Sequence, residues 1–495
     1  MTKISQLIIN LGVVTIISML GSSVASANEL ANELEDVNFI YKLKSIQLTD
    51  WEFQALQSLA ENNICTAELT KNSRIISRYE FALELDNCLR SRENPISQED
   101  LAILQRLRQD FALELANLSA KVKQLETNIT QLKSNNFSPT AKLNGQILFF
   151  LADSFGQEDD SQTFSGFRTR LDFGTSFSGQ DKLNIRLENR NIGRLDNVTD
   201  TLLSRLSVDG SSDNRTKLAE LSYTFKLGDR TKMVFGTTGV GLNDIGEVLN
   251  PFSSSGDGAI SRFGRRDPAT LRGPGGSGIG IKHEFSKKIL VNAGYVINSQ
   301  DVANPEKGKG LFDSSASAIA QLMIKPEDDL AVALAYTHSY QRINDLNLLS
   351  GTGVEDANQP FGNKATTSDN FGLQFNWAIT SGLEIGGWFG YTQASQQQNG
   401  SERATILNGA LTLAFPDLWA ENNFGGIIIG VPPAIADHDD KSLITEETPF
   451  HIEALYRIEI NKNIEITPGF FVIINPDRND DYALWIGTVR TRISF

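Results

Sequence analysis

From about Ala141 to Phe495, apolar and polar residues alternate with a period of two in one segment after another. In Leu484 to Phe495, Trp485, Val489, Ile493 and Phe495 share one face with Gly487 and Thr491, while Arg490, Arg492 and Ser494 share the other. Upstream, Phe167, Leu171, Phe173 and Phe177 oppose Arg168, Arg170 and Asp172, and Leu183, Ile185 and Leu187 oppose Arg186, Glu188 and Arg190. Phe450, Ile452, Ala454, Tyr456 and Ile458 likewise oppose His451, Glu453, Arg457 and Glu459. An apolar face opposite a charged one suits a strand with lipid outside and water inside. A β-sandwich also leaves one face solvated, but it does not account for the spacing of the connections. Short turns near Gly179-Gln180, Gly228-Asp229, Ser286-Lys287, Pro326-Glu327, Ser381-Gly382, Pro416-Asp417 and Asn461-Lys462 alternate with eight longer polar stretches, the third from Val240 to Gly278. This alternation predicts a transmembrane barrel over residues 141–495, all-β, with about sixteen antiparallel strands and both ends on one side. Short turns are expected on the periplasmic side and long loops outside. A barrel of that width leaves an aqueous lumen, into which Arg168, Arg170, Arg186, Arg190, Arg457, Arg490 and Arg492 are expected to point.

Ahead of the strands the period changes to that of helices. Thr49-Asp50-Trp51 reads as an N-cap before a helix carrying Phe53, Leu56, Leu59 and Ala60, and Ser77-Arg78-Tyr79-Glu80 opens a second with Phe81, Leu83 and Leu85. These predict a small α-helical module over residues 37–92. Residues 98–135 then carry a heptad pattern: Leu101, Leu115, Val122 and Ile129 at one core position, with Arg108 the exception, and Leu104, Phe111, Leu118, Leu125 and Leu132 at the other. Strict heptads predict a coiled-coil helix that joins subunits, and the alternative is that this helix packs on the module before it. Asn135-Asn136-Phe137-Ser138-Pro139 breaks the helix.

Composition narrows the class further. Lys3, the apolar stretch Leu7 to Leu20 and Ala25-Ser26-Ala27 fit an export signal over residues 1–27. Beyond it no apolar run reaches the length of a membrane-spanning helix, and a net charge of -15 argues against nucleic acid as a partner. Cys65 and Cys88, the only cysteines, could pair in an oxidising compartment or stay as buried thiols. The four histidines are scattered without metal-site spacing, and no catalytic constellation stands out, so neither cofactor nor enzyme chemistry is called for.

Candidate chemistry concentrates in the third long connection, where Arg262, Arg265, Arg266 and Arg272 lie among Gly264, Gly273, Gly275 and Gly276. Folded into the lumen, such a loop would form a constriction whose guanidinium groups raise anion occupancy and offer planar donors to sugar hydroxyls or carboxylates. Asp257 and Asp267 are expected to supply the opposing acidic side.

The Trp-bearing first helix and the Ser77-Arg78-Tyr79-Glu80 start of the second resemble a surface-layer homology (SLH) domain. The resemblance implies binding of cell-wall polymer, with Trp51, Arg78 and Glu80 near the glycan. Cys65-Thr66-Ala67-Glu68-Leu69 stands where that family has a Gly-Tyr-Pro-Asp-Gly-type loop. The whole order of export signal, module, coiled coil and barrel, with Arg262-Phe263-Gly264-Arg265-Arg266, His451-Ile452-Glu453-Ala454, Ile466-Thr467-Pro468-Gly469 and Trp485-Ile486-Gly487-Thr488, resembles the cyanobacterial outer-membrane porins of the OprB carbohydrate-selective type, also described as iron-uptake porins. That resemblance implies a homotrimeric passive channel in outer-membrane lipid. It also implies a periplasmic module gripping peptidoglycan or a linked polysaccharide, and permeation by small hydrophilic solutes, sugars or inorganic ions. A competing expectation is a protein that mainly staples the membrane to the wall, its pore plugged.

Overall fold

A computed structural model describes residues 45–62, 64–65, 76–91, 96–135, 140–156, 161–397, 400, 402–476 and 482–495. The export signal, residues 37–44 of the module, Thr66 to Leu69 and the Phe137-Ser138-Pro139 helix break fall outside them. The chain divides into two compact units, Met1–Asn136 and Phe137–Phe495.

In the first unit, helices α1 (Trp51–Glu61), α2 (Arg78–Arg90), α3 (Gln98–Asp110) and α4 (Ala112–Asn135) follow one another, with Ser45–Ile46 paired antiparallel to Ile76–Ser77. Ser77 and Glu80 form a reciprocal capping box at the start of α2, as the Ser-x-x-Glu spacing implies. One core gathers Phe53, Leu56, Leu59, Phe81, Leu85 and Cys88 with Leu104, Leu107, Phe111 and Leu118. Thus Leu104, Phe111 and Leu118, one seam of the predicted heptads, are buried against the module, while Leu101 and Val122 of the other seam are exposed. The physical reason is proximity: a half-buried α1–α2 pair lies only a short connection away and offers apolar area at once. The side chains of Leu125, Ile129 and Leu132 lie outside the described ones. A disulfide joins Cys65 to Cys88.

In the second unit sixteen antiparallel strands close into a barrel. They are β1 (Thr140–Phe155), β2 (Phe164–Ser176), β3 (Lys182–Ile192), β4 (Lys217–Lys226), β5 (Thr231–Val240), β6 (Gly276–Ser286), β7 (Ile289–Asn298) and β8 (Ala316–Glu327). The rest are β9 (Leu330–Gln341), β10 (Thr366–Thr380), β11 (Leu383–Gln396), β12 (Arg403–Pro416), β13 (Phe424–His438), β14 (Phe450–Asn461), β15 (Ile464–Ile474) and β16 (Ala483–Ser494). The seven short turns and eight long connections alternate as the period-two pattern predicts, except that β13 runs on to His438, into the connection expected from Pro432 to Pro449, and the turn expected at Pro416-Asp417 extends to Phe424. Closure comes from β16 pairing with β1, Trp485 opposite Phe155 and Ser494 opposite Gln146. Phe495 and Gly145 exchange backbone hydrogen bonds of 3.0 and 2.7 Å. The Phe495 ring lies so close over Gly145 that any Cβ there would stand 2.2 Å from it, so only glycine fits beneath the ring. Full closure leaves no unpaired edge among the barrel strands, which backbone polar groups in hydrocarbon require.

The outward face is apolar and exposed at Phe149, Leu151, Phe235, Ile279, Leu334, Phe371, Phe389, Leu411, Phe470, Trp485 and Val489. The inward face departs from the uniformly wet lumen expected from the strand pattern. Toward the long-loop ends, Leu148, Phe150, Ile406, Ile428, Phe471, Ile473, Leu484 and Ile486 turn inward and are buried. They share one apolar core with Leu195, Leu203, Leu206 and Val208 of the second long connection, Phe252 and Ile260 of the third, and Leu348, Leu349 and Val354 of the fifth. Three long connections therefore fold into the barrel rather than one. Apolar residues within stretches that read as polar loops supply the driving force.

Candidate constriction in the lumen

The site is built on one wall of the barrel. Strands β14, β15, β16, β1, β2 and β3 are consecutive neighbours, so their register stacks the inward charges into a ladder. Arg170 stands opposite Glu188 and bonds it at 2.6 Å. Arg186 stands opposite both Asp172 and Glu220, at 2.7 and 3.0 Å. Arg492 stands opposite Glu465 and engages it with both arms, one at 2.9 Å. Arg190 reaches Glu188 at 3.4 Å and the Asp209 carbonyl at 3.0 Å. Cross-strand pairs of opposite charge are the sheet's own way of satisfying such groups.

The third long connection, residues 241–275, lies against this ladder. The Ser255 hydroxyl accepts from Arg168 at 2.8 Å and from Arg170 at 3.3 Å. Asp257 sits 3.6 Å from Arg457 and 3.5 Å from Arg492. Arg490, wholly buried, donates to the Gly258 carbonyl at 2.7 Å. The seven inward arginines thus serve less as a bare charged surface than as anchors, five of them paired with carboxylates of the barrel strands, Arg457 reaching Glu465 at 4.0 Å.

Beyond the anchor, the loop turns through Phe263–Arg265 and a short helix, Pro268–Leu271, capped by Asp267, whose carboxylate accepts from the Ala269 and Thr270 amides. Arg262 donates to the Ser350 carbonyl at 2.9 Å, Arg265 to the Ser253 carbonyl at 2.9 Å, and Arg272 to the Arg262 carbonyl. Arg205 of the second connection holds Asp209 with both arms, at 2.9 and 2.7 Å. Arg266 and Arg272 are each 8% exposed and their Nε atoms meet no protein acceptor. Burial, reinforced by Arg205, pushes the Arg262 guanidinium down to about 10, and burial lowers Arg266 as well, with Asp244 opposing the shift. Burial lowers Arg265 and Arg272 well below the ordinary value too, and Arg262, at about 10, still carries its charge at neutral pH. Arg262, Arg265 and Arg272 are thus held by carbonyls, which leaves their charge largely uncancelled.

The two acidic residues expected to face them do not. Asp257 pairs with the wall, and Asp267 is wholly buried under its helix, where burial raises its carboxyl to about 6. Both are consumed by local geometry, an ion pair and a cap, that spacing in a loop does not reveal. The acidic groups at the lumen surface are others. On the short-turn side a cavity of 850 Å³ is lined by Glu220, Asp244 and Glu247 together with Lys226, Lys232 and Lys282. Asp209, Asp244 and Ser255 were missed in the sequence, as was the inward folding of the second and fifth connections. Their apolar runs, Leu202-Leu203 with Leu206, and Leu346 with Leu348-Leu349, were the available signal.

In the first unit, the Arg106 guanidinium lies 4.0 Å over the Trp51 ring. Arg78 bonds Glu114 at 2.7 Å and the Asp110 carbonyl at 2.7 Å and covers Phe111. Glu80 closes the capping box with Ser77. Among the described residues no group of three or more His, Cys, Asp or Glu side chains is arranged to hold a metal ion.

A closed sixteen-strand barrel with an apolar belt and a charged loop folded across its lumen defines an outer-membrane porin, a channel rather than an enzyme. The chain belongs to the family described as carbohydrate-selective porin, OprB family, whose sequence profile matches residues 98–495. An uncharacterised protein of Synechocystis sp. is 34% identical, covering 95% of this chain and 93% of its own. Another from Nostoc sp. is 30% identical over 94% of this chain and 86% of its own. The high-pH structure of Pseudomonas putida OprB shares the barrel fold, with a TM-score of 0.51 at 13% identity over 74% of this chain and 96% of that one.

Proposed function

We propose that the channel passes small hydrophilic solutes by diffusion, and that the guanidinium groups of Arg262, Arg265, Arg266 and Arg272 set its preference, toward anions and hydroxyl-rich solutes such as sugars. The observation that carries this reading is that Arg262, Arg265 and Arg272 are fixed inside the barrel by carbonyls rather than by carboxylates. Uncancelled positive charge in a confined lumen raises the local concentration of anions, and planar guanidinium donors match hydroxyl and carboxylate acceptors. Inorganic ions, iron salts among them, belong to the solutes this reading admits. The same reading takes the protein as a homotrimer whose N-terminal module stands in the periplasm and grips peptidoglycan, with Trp51, Arg78 and Glu80 near the glycan. The test is single-channel conductance and reversal potential of the full chain in a planar bilayer, in salt gradients and then with added sugars or ferric salts. Stable open steps with an anion-directed reversal potential are expected. Arg265→Ser with Arg266→Ser should raise conductance and bring the reversal potential toward zero, and unchanged selectivity would put these arginines outside the conduction path.

One observation favours a second reading, a membrane-to-wall staple with a closed pore: three long connections share an apolar core inside the barrel. A folded barrel that stays silent in the bilayer would select it.

A further inference from the structure

Two fully buried charged side chains on the barrel wall take opposite halves of the same stretch of loop backbone. Glu453 on β14 accepts from the Ile260 amide, from the Ser261 amide at 3.3 Å and from the Ser261 hydroxyl. Arg490 on β16 donates to the Gly258 carbonyl at 2.7 Å and to the Ala259 carbonyl at 3.5 Å. Both wall residues are 0% exposed. Four consecutive residues, 258 to 261, are thus held by a carboxylate that reads N–H groups and a guanidinium that reads C=O groups. The next turns of chain close over the carboxylate. A Cβ on Gly264 would stand 2.8 Å from Glu453 Oε2, and the Phe263 ring sits edge-on between Trp388 and His451, 5.6 and 5.3 Å from them.

The energetics run both ways. A carboxyl group deep in a protein is tolerated only with its hydrogen bonds made; His451 of the same strand lies 3.3 Å from Glu453 Oε2 and the loop supplies the other partners, so Glu453 needs the loop as the loop needs Glu453. Moreover Arg262, Arg265 and Arg266 follow the clamped residues directly in sequence, so a shift at residue 260 carries their guanidinium groups with it.

We propose that Glu453 and Arg490 are positioning residues for the constriction: they form a latch that fixes where the loop arginines stand, and so set the channel's selectivity without lining its path. This rests on the reading of the loop as the selectivity element. Glu453→Gln in the full chain tests it, because glutamine keeps the shape while its amide NH₂ opposes the Ser261 donors. Trypsin, which cuts after arginine, reports the latch directly, and reversal potential reports its consequence. The variant should assemble as a heat-modifiable barrel, be cleaved after Arg262 or Arg265 about tenfold faster than wild type, as suits one lost charge-assisted hydrogen bond, and show a clearly weaker ion preference. A folded variant cleaved at the wild-type rate with wild-type selectivity overturns the proposal. Should Glu453→Gln not assemble, Ser261→Ala removes only the hydroxyl donor and must move both readouts in the same direction by a smaller factor, and no movement again overturns it. Faster cleavage without a change in selectivity would retain the latch but reject its role in setting preference, and a wild-type channel silent in the bilayer would reject the channel reading independently of the proteolysis.

Discussion

Cys65 and Cys88 show how a single covalent contact can carry a small core. The first unit buries its apolar residues over four helices with little sheet to support them, and the disulfide closes 23 residues of chain between α1 and α2. Restricting the unfolded chain over a loop of that size is worth roughly 3 kcal/mol. Cys88→Ser should therefore lower the stability of the helical unit by about 2–4 kcal/mol, seen as an earlier loss of helix signal on denaturing the full chain while the barrel signal stays. An unchanged helix transition would mean that packing alone holds the unit. At this scale the sequence was informative about side and silent about partner. Parity along a strand assigns Arg168 and Arg490 to the inward face, since a one-residue slip would put them in lipid. It cannot say that Arg490 meets the carbonyls of Gly258 and Ala259, 231 residues or more away along the chain. Nor could two cysteines in one module tell pairing from burial.

Among the elements, α3 and α4 were legible as helices and ambiguous as surfaces. A heptad states that two seams are apolar and leaves open what covers them. Here Leu104, Phe111 and Leu118 go to the module core, and an ion pair marks that contact. Glu114 on α4 is bonded by Arg78 on α2 at 2.7 Å. Burial alone would raise its carboxyl, but the Arg78 hydrogen bond and charge outweigh that and hold it below the ordinary value. A depressed folded value stabilises the folded form above the unfolded value of about 4.3 and loses that contribution as pH falls below it. Arg78→Met keeps the aliphatic cover on Phe111 and removes the charge. The variant's helical unit should be less stable than wild type at neutral pH, the difference shrinking as pH falls through the acid limb, and a constant difference at every pH would show that Arg78 acts through packing alone. The barrel strands were the more readable elements because their two faces meet different solvents. The long connections were the least readable, since a few leucines amid polar residues decide whether a loop folds inward, and that depends on apolar surface waiting inside the barrel.

For the whole molecule, the question is whether its two compact units do separable work. Each has its own core, one around Phe81 and Phe111 and the other around Phe150 and Phe471. The barrel closes through β16 and β1 without any strand from the first unit. A chain lacking Asn28 to Asn135 should therefore still close its barrel and still hold the third connection against Glu453 and Arg490, so its conductance and reversal potential should match those of the full chain. If the first unit grips peptidoglycan as proposed, what the shortened chain loses is attachment to the wall. Cells carrying the shortened protein should release outer membrane more readily, and the full chain but not the shortened one should sediment with purified peptidoglycan. Loss of conductance on deletion would instead make the first unit part of the channel's assembly, for instance by joining subunits through Leu101 and Val122, which stay exposed. Single substitutions then divide the outcomes. Leu101→Lys with Val122→Lys leaves the module core untouched, so if the exposed seam joins subunits these changes alone should abolish the oligomer and lower conductance per particle. If they do neither, the seam has no partner copy, and the proposed grip on the wall is the role left to the first unit.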